Sequence, residues 1–149
     1  MIRCTEKGKA FEWNSDCQKA FDQLKSIITS DQVLLLPDFD KPFRIDTDAS
    51  LTGVGAVLSQ EKDGSWRTVA SFSKHLTKRQ QNYSTSEREL LSIVLAIEHF
   101  KQFIYGRPVT VYTDHQPLKY LLTVDEPAQR LARWLDQLRM FDLTIEYRK

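Results

Sequence analysis

The stretch Phe43-Arg-Ile-Asp-Thr-Asp48-Ala-Ser50, continued by Gly53-Val-Gly-Ala-Val-Leu58, carries a period of two. Phe43, Ile45 and Thr47 alternate with Arg44, Asp46 and Asp48, the pattern of a strand with one face turned to a core. Beyond a bend at Gly53 and Gly55, Val54, Ala56 and Leu58 follow the same rule, which predicts strands near 43–48 and 53–60. Lys62-Asp63-Gly64-Ser65 holds the Asp-Gly pair that suits a tight hairpin turn. Trp66–Lys74, with Val69, Ser71 and Phe72, then reads as a third strand.

Downstream of this stretch the period changes to that of a helix. Ser84-Thr-Ser-Glu87 is a capping box. Leu90, Leu91, Val94, Leu95, Ile97, Phe100, Phe103 and Ile104 form the apolar stripe of a helix that runs to about Tyr105, with Gly106 at its C-terminal cap. Val109–Thr113 is β-branched and reads as a strand, Gln116–Leu122 as a short helix, Pro127–Phe141 as a longer helix and Leu143–Tyr147 as a last strand. Phe100, Phe103, Trp134 and Phe141 recur at helical spacing and are expected in the core. Upstream, Ser15 with Gln18 three residues on suggests a helix start. Cys17, Ala20, Phe21, Leu24, Ile27 and Ile28 extend that helix over about 16–29. Pro37 and Pro42 bracket an irregular stretch. The expected organisation is a leading segment, residues 1–42, and a main domain, residues 43–149.

Composition narrows the class. A chain of 149 residues, 41% hydrophobic and 11% aromatic, can bury a core without metal or disulfides. Lys and Arg total 21 against 20 Asp and Glu, so no global field points to nucleic acid or membrane, and any basic surface must be local. Two cysteines, Cys4 and Cys17, are too few for a disulfide framework. The longest apolar runs, Val33–Leu36 and Ile93–Ile97, fall far short of a membrane span, and the N-terminus has no apolar signal region. A reduced, intracellular domain without membrane partners is expected.

The chemistry is carried by acidic residues at element ends. Asp46 and Asp48 lie two apart on one strand face, Glu89 falls in the first two turns of the long helix, and Asp114 ends the β-branched strand before His115. Carboxylates converging from strand ends and a helix make a hard, all-oxygen site suited to Mg²⁺. Two such ions about 3.5–4 Å apart can activate water and stabilise the leaving oxygen of a phosphodiester. Taken singly, each acid has an ordinary structural role as well: Glu89 favoured by the helix dipole, Asp48 as a turn cap, Asp114 as an Asx turn or helix cap. Spacing alone leaves both readings open.

Longer words distinguish them. Phe11-Glu-Trp13, Cys17-Gln-Lys-Ala-Phe21, Leu36-Pro-Asp-Phe39 and Phe43–Ser50 resemble the ribonuclease H region of gypsy-type LTR retrotransposon reverse transcriptases. So do Gly53–Leu58, Ser71-Phe-Ser-Lys-His-Leu76, Asn82–Leu91, Tyr112–Leu122, Arg130–Leu135 and Ile145–Arg148. The resemblance covers nearly the whole chain from about residue 8. It implies an α/β, ribonuclease H-like fold: a mixed five-stranded sheet, its first three strands antiparallel, flanked by helices. It also implies two-metal hydrolysis of the RNA strand of RNA–DNA hybrids with Mg²⁺, Mn²⁺ substituting. Position by position, Asp48, Glu89 and Asp114 resemble the family's metal-binding catalytic carboxylates, whereas Asp46 falls where the family varies. Residues 8–42 resemble the connection segment that follows the polymerase domain, an expected partner in the same polyprotein; no Tyr-x-Asp-Asp polymerase signature occurs.

One feature departs from the family pattern. A fourth aspartate, in an Ala-Asp-x-Leu-Ser word on a final helix, does not follow the Glu-Tyr-Arg strand here. The expectation is therefore a chain lacking the family's last helix, with impaired catalysis and as few as one bound ion. Asp142 and Glu146 are candidate substitutes, although nothing in their spacing argues for them. The alternative is a domesticated or truncated module that binds nucleic acid or protein, self-associating or taking a partner at the surface this helix would cover. Contacts to a hybrid duplex would run mainly through phosphates. The candidates are Lys74, Lys78, Arg79, His115, Lys119, Arg130 and Arg133, each of which reads first as a solvated surface group or cap.

Overall fold

The computed structural model describes residues 11–30, 34–114 and 129–148. The chain divides into two units, Met1–Leu36 and Pro37–Lys149. In the first, helix α1 (Ser15–Ile28) begins one residue earlier than its spacing predicts. Its cap is Asn14, not Ser15: Asn14 sits in extended backbone and its side chain accepts from the Cys17 N–H at 3.0 Å. Asparagine caps as well as serine does, and here it is the residue with non-helical backbone. Gln18 is used differently from a capping-box residue, accepting from the Trp13 indole Nε1–H at 2.8 Å.

The second unit is built on the alternation that opens the main domain. Strands β1 (Phe43–Ala49), β2 (Gly53–Lys62) and β3 (Ser65–His75) pair antiparallel in sequence order. The bend between β1 and β2 lies at Ser50–Thr52, ahead of the two glycines, which are both inside β2. Ser50 closes it, its hydroxyl accepting from the Thr52 and Gly53 N–H groups at 3.2 and 2.9 Å. Gly53 is needed for closeness: a Cβ there would meet the Lys74 carbonyl oxygen at 3.3 Å. Between β2 and β3, Asp63 and Gly64 both have positive φ, 53° and 74°, the mirror-image turn that matches strand twist.

A four-residue helix, α2 (Lys78–Gln81), follows β3, capped reciprocally by Thr77 and Gln80. Helix α3 (Thr85–Ile104) begins with the expected capping box, Ser84 with Glu87, and ends before Gly106, whose φ is 72°. Strand β4 (Val109–Thr113) then crosses to pair parallel with β1, and β5 (Leu143–Tyr147) pairs parallel with β4. Between them, helix α4 (Gln129–Leu138) ends three residues short of the helix predicted over 127–141, whose last residues form a turn; residues 127 and 128 lie outside the described residues. The predicted helix at 116–122 lies outside the described residues. The sheet order is β3-β2-β1-β4-β5, the mixed five-stranded arrangement with an antiparallel first half that the family resemblance implies.

The core lies between this sheet and α3. Phe43 and Ile45 from β1, Leu58 from β2 and Val111 from β4 meet Leu90, Ile93, Phe100 and Ile104 of α3, all buried. Each such side chain contributes roughly 1.5–3 kcal/mol when withdrawn from water. Phe103, Trp134 and Phe141 pack against the same cluster at its margin. The polar side chain of Gln60 is fully buried as well. Gln60 donates to the Asp38 and Lys41 carbonyls and accepts from the Asp38 N–H, fastening residues 38–41 to β2. Among the described residues no helix is long and apolar enough to cross a membrane.

Candidate metal centre

Because β1 and β4 are parallel neighbours, with Asp46 opposite Tyr112, their C-terminal ends lie side by side. Asp48 sits near the end of β1 and Asp114 immediately follows β4. Helix α3 starts beside these ends and presents Glu89 from its second turn. One carboxylate oxygen from each of Asp48, Glu89 and Asp114 lies within 4.8 Å of the others. Residues far apart in sequence are thus brought together by the strand order and the placement of α3.

The three differ in environment. Asp48 and Asp114 are exposed, whereas Glu89 is 5% exposed. Glu89 accepts from the Ala49 backbone N–H, which ties the helix to the end of β1. Its Oε2 is buried and has no hydrogen-bond partner among the described residues. Burial, and next the negative charges of Asp114 and Asp48, push its carboxyl up to about 7. An orphaned buried carboxylate oxygen facing two further carboxylates fits a divalent cation, which would satisfy the oxygen and offset the repulsion. The donor set is all oxygen, the choice of a hard ion such as Mg²⁺ or Mn²⁺.

Asp48 and Asp114 line an open pocket of about 330 Å³ that also takes in Asp46, Tyr112 and Arg148. Asp46, on the same strand face as Asp48, is engaged by its neighbour: the Arg44 Nε donates to Asp46 Oδ2 at 2.8 Å, and Arg44 Nη2 also bonds its Oδ1. Arg44 itself is held between the rings of Trp66 and Tyr112, 5.1 and 4.6 Å from their centroids. Burial and the hydrogen bond to Glu146 raise the Tyr112 phenol above its usual range.

Of the basic candidates, Lys74, Lys78, Arg79 and Arg133 are exposed, on β3, α2 and α4. Arg130 is engaged: it bonds Glu87 Oε1 at 2.5 Å and lies 3.9 Å from the Tyr83 ring centroid and 5.8 Å from that of Trp134. Burial pushes the Glu87 carboxyl up, but the Ser84 N–H and the Arg130 guanidinium outweigh it and hold the group below its usual value. Arg130 therefore joins α4 to the start of α3, two residues from Glu89. His115 and Lys119 lie outside the described residues. Sequence reasoning passed over Arg148 as a site residue, although it stood inside the Glu-Tyr-Arg word; only the pairing of β5 with β4 shows it beside Asp114.

Residues 38–141 match the family described as the RNase H-like domain found in reverse transcriptase. The chain is 45% identical over 149 residues, its whole length, to the retrovirus-related Pol polyprotein from transposon 412 of Drosophila melanogaster. It is 40% identical over 139 residues, 92% of its length, to that from transposon gypsy of the same organism. It spans 12% and 13% of these relatives' lengths. In fold it is similar to the foamy viral protease-reverse transcriptase solved in complex with RNA/DNA hybrid. That match has a TM-score of 0.63 and 19% identity, and covers 97% of this chain and 20% of the other.

Proposed function

The chain belongs to the RNase H-like domain family found in reverse transcriptases, and from that premise we propose that it hydrolyses the RNA strand of RNA–DNA hybrids. The observation that carries this reading is the convergence of Asp48, Glu89 and Asp114, with one buried Glu89 oxygen that has no partner among the described residues. These three residues would hold Mg²⁺, with Mn²⁺ as a substitute. Two such ions would supply an activated water and charge stabilisation for the leaving oxygen of the phosphodiester, giving 3′-hydroxyl and 5′-phosphate ends. Asp48 and Asp114 project from strand ends into the open pocket, where a backbone phosphate can approach. Glu89 closes the site from the helix side, positioned by the Ala49 N–H and kept from bulk water by its burial. The sheet holds the two strand-borne acids at fixed separation, so little reorganisation is needed when charge develops.

The structural relative solved with an RNA/DNA hybrid supports the substrate class. The Pol polyprotein relatives support a polymerase domain as partner in the same chain, with residues 1–42 as the connection to it. Exposed Lys74, Lys78, Arg79 and Arg133 would meet backbone phosphates. A panel of end-labelled duplexes of one sequence tests the reading. Cleavage of the RNA strand in the hybrid, in Mg²⁺ or Mn²⁺, with double-stranded RNA and DNA left intact, is expected. Equal cleavage of all three duplexes, or of none, would contradict it.

A further inference from the structure

Arg148 stands on the rim of the pocket that holds Asp48 and Asp114, and its ion pair with Asp46 is a long one. Its backbone is fixed. Thr113 and Tyr147 are the last paired residues of β4 and β5, and the Arg148 N–H donates to the Thr113 carbonyl at 2.9 Å. The register therefore seats Arg148 alongside Asp114, one strand over. Its side chain is 61% exposed, and Nη1 lies 3.9 Å from Asp46 Oδ1, beyond hydrogen-bond distance. Asp46 is already occupied by Arg44, which is 12% exposed and stacked between two rings. Among the described residues the Arg148 guanidinium makes no hydrogen bond. Of the two arginines beside Asp46, Arg44 is half-buried and hydrogen-bonded to it, whereas Arg148, exposed on the pocket wall, reaches it only as a long ion pair.

We propose that Arg148 is a phosphate-binding residue of this site, gripping the backbone of the nucleic-acid strand presented to Asp48, Glu89 and Asp114. The proposal rests on the hybrid-hydrolysing reading and adds a residue to it. A pocket walled by carboxylates repels a phosphodiester, and a guanidinium at its rim reverses that locally. The planar fork matches phosphate oxygens in pairs, and among the described residues Arg148's donors are held by no hydrogen bond, only by the long ion pair to Asp46.

Binding of a fluorescein-labelled RNA–DNA hybrid, measured across a salt series in calcium buffer, tests this. Arg148→Ala is expected to weaken binding about fivefold and to reduce the slope of log Kd against log salt by about 1, the signature of one lost phosphate contact. Arg148→Lys should recover most of the slope. The thermal midpoint should match the wild type in both, and Arg139→Ala, an exposed arginine paired with Asp136 on α4, should bind as the wild type does. An unchanged Kd and slope in Arg148→Ala, or an equal loss in Arg139→Ala, would overturn the proposal. A wild-type chain that binds and cleaves hybrid while Arg148→Ala matches it would defeat the Arg148 assignment alone. A wild-type chain without measurable affinity for hybrid would defeat the parent reading as well.

Discussion

Glu89 is the residue on which the site's electrostatics turn. Its carboxyl is pushed from an ordinary 4.5 to about 7 by burial and by the Asp114 and Asp48 charges. A folded-state value raised above the unfolded one means that the ion-free fold binds more protons than the unfolded chain between these two pH values. Glu89 therefore stabilises the ion-free domain at pH 5, and that contribution is lost as pH rises through about 7. The loss amounts to about 3 kcal/mol. Denaturant melts in EDTA from pH 5 to 8 should show the decline, Glu89→Gln should flatten it, and Mg²⁺ should restore stability at pH 8 in the wild type only. A pH-independent wild type would refute the assignment. Residue-level legibility was uneven. Asp48 and Asp114 stood out through the words around them, whereas the Arg44 clamp did not, because Trp66 and Tyr112 reach it from two other strands.

At the scale of elements, α3 does two jobs, burying one face against the sheet and presenting Glu89 from its second turn. Its start is fixed by the reciprocal bonds between Ser84 and Glu87, and Arg130 of α4 holds the same Glu87. Ser84→Ala removes the acceptor for the Glu87 N–H and should cost about 1 kcal/mol in chemical denaturation. It should also weaken Mg²⁺ binding slightly, because the first turns of the helix carry the ligand; an unchanged midpoint would show that the cap is dispensable. Periodicity made the strands and α3 plain, since long alternating or helical stripes are the strongest local signal. The position of the bend at Ser50–Thr52 was less plain. Glycines at 53 and 55 read as a turn, yet Gly53 serves the close approach of Lys74 within β2 and β3. Helix α2, a single capped turn, carries no apolar stripe to betray it.

For the molecule as a whole, the strand order decides the chemistry. Placing β4 next to β1 brings Asp114 to Asp48, and the crossover through α3 brings Glu89 to both. No local pattern encodes that meeting, which is why spacing alone left the acids open to structural roles, while the family words pointed to their convergence. The polar stitch from Gln60 to residues 38–41 was equally invisible, being a contact between a strand interior and a proline-bounded loop. The proposed function requires Asp48, Glu89 and Asp114 together to form a cation site that carries hydrolysis of the RNA strand. The most direct test is cleavage of a labelled RNA–DNA hybrid by the wild type and by Asp48→Asn, side by side across a Mg²⁺ and then a Mn²⁺ titration. Metal-dependent cleavage that falls roughly 100-fold or more in Asp48→Asn, with the fold intact, is expected. Equal cleavage by the two proteins, or cleavage indifferent to the metal, would contradict it.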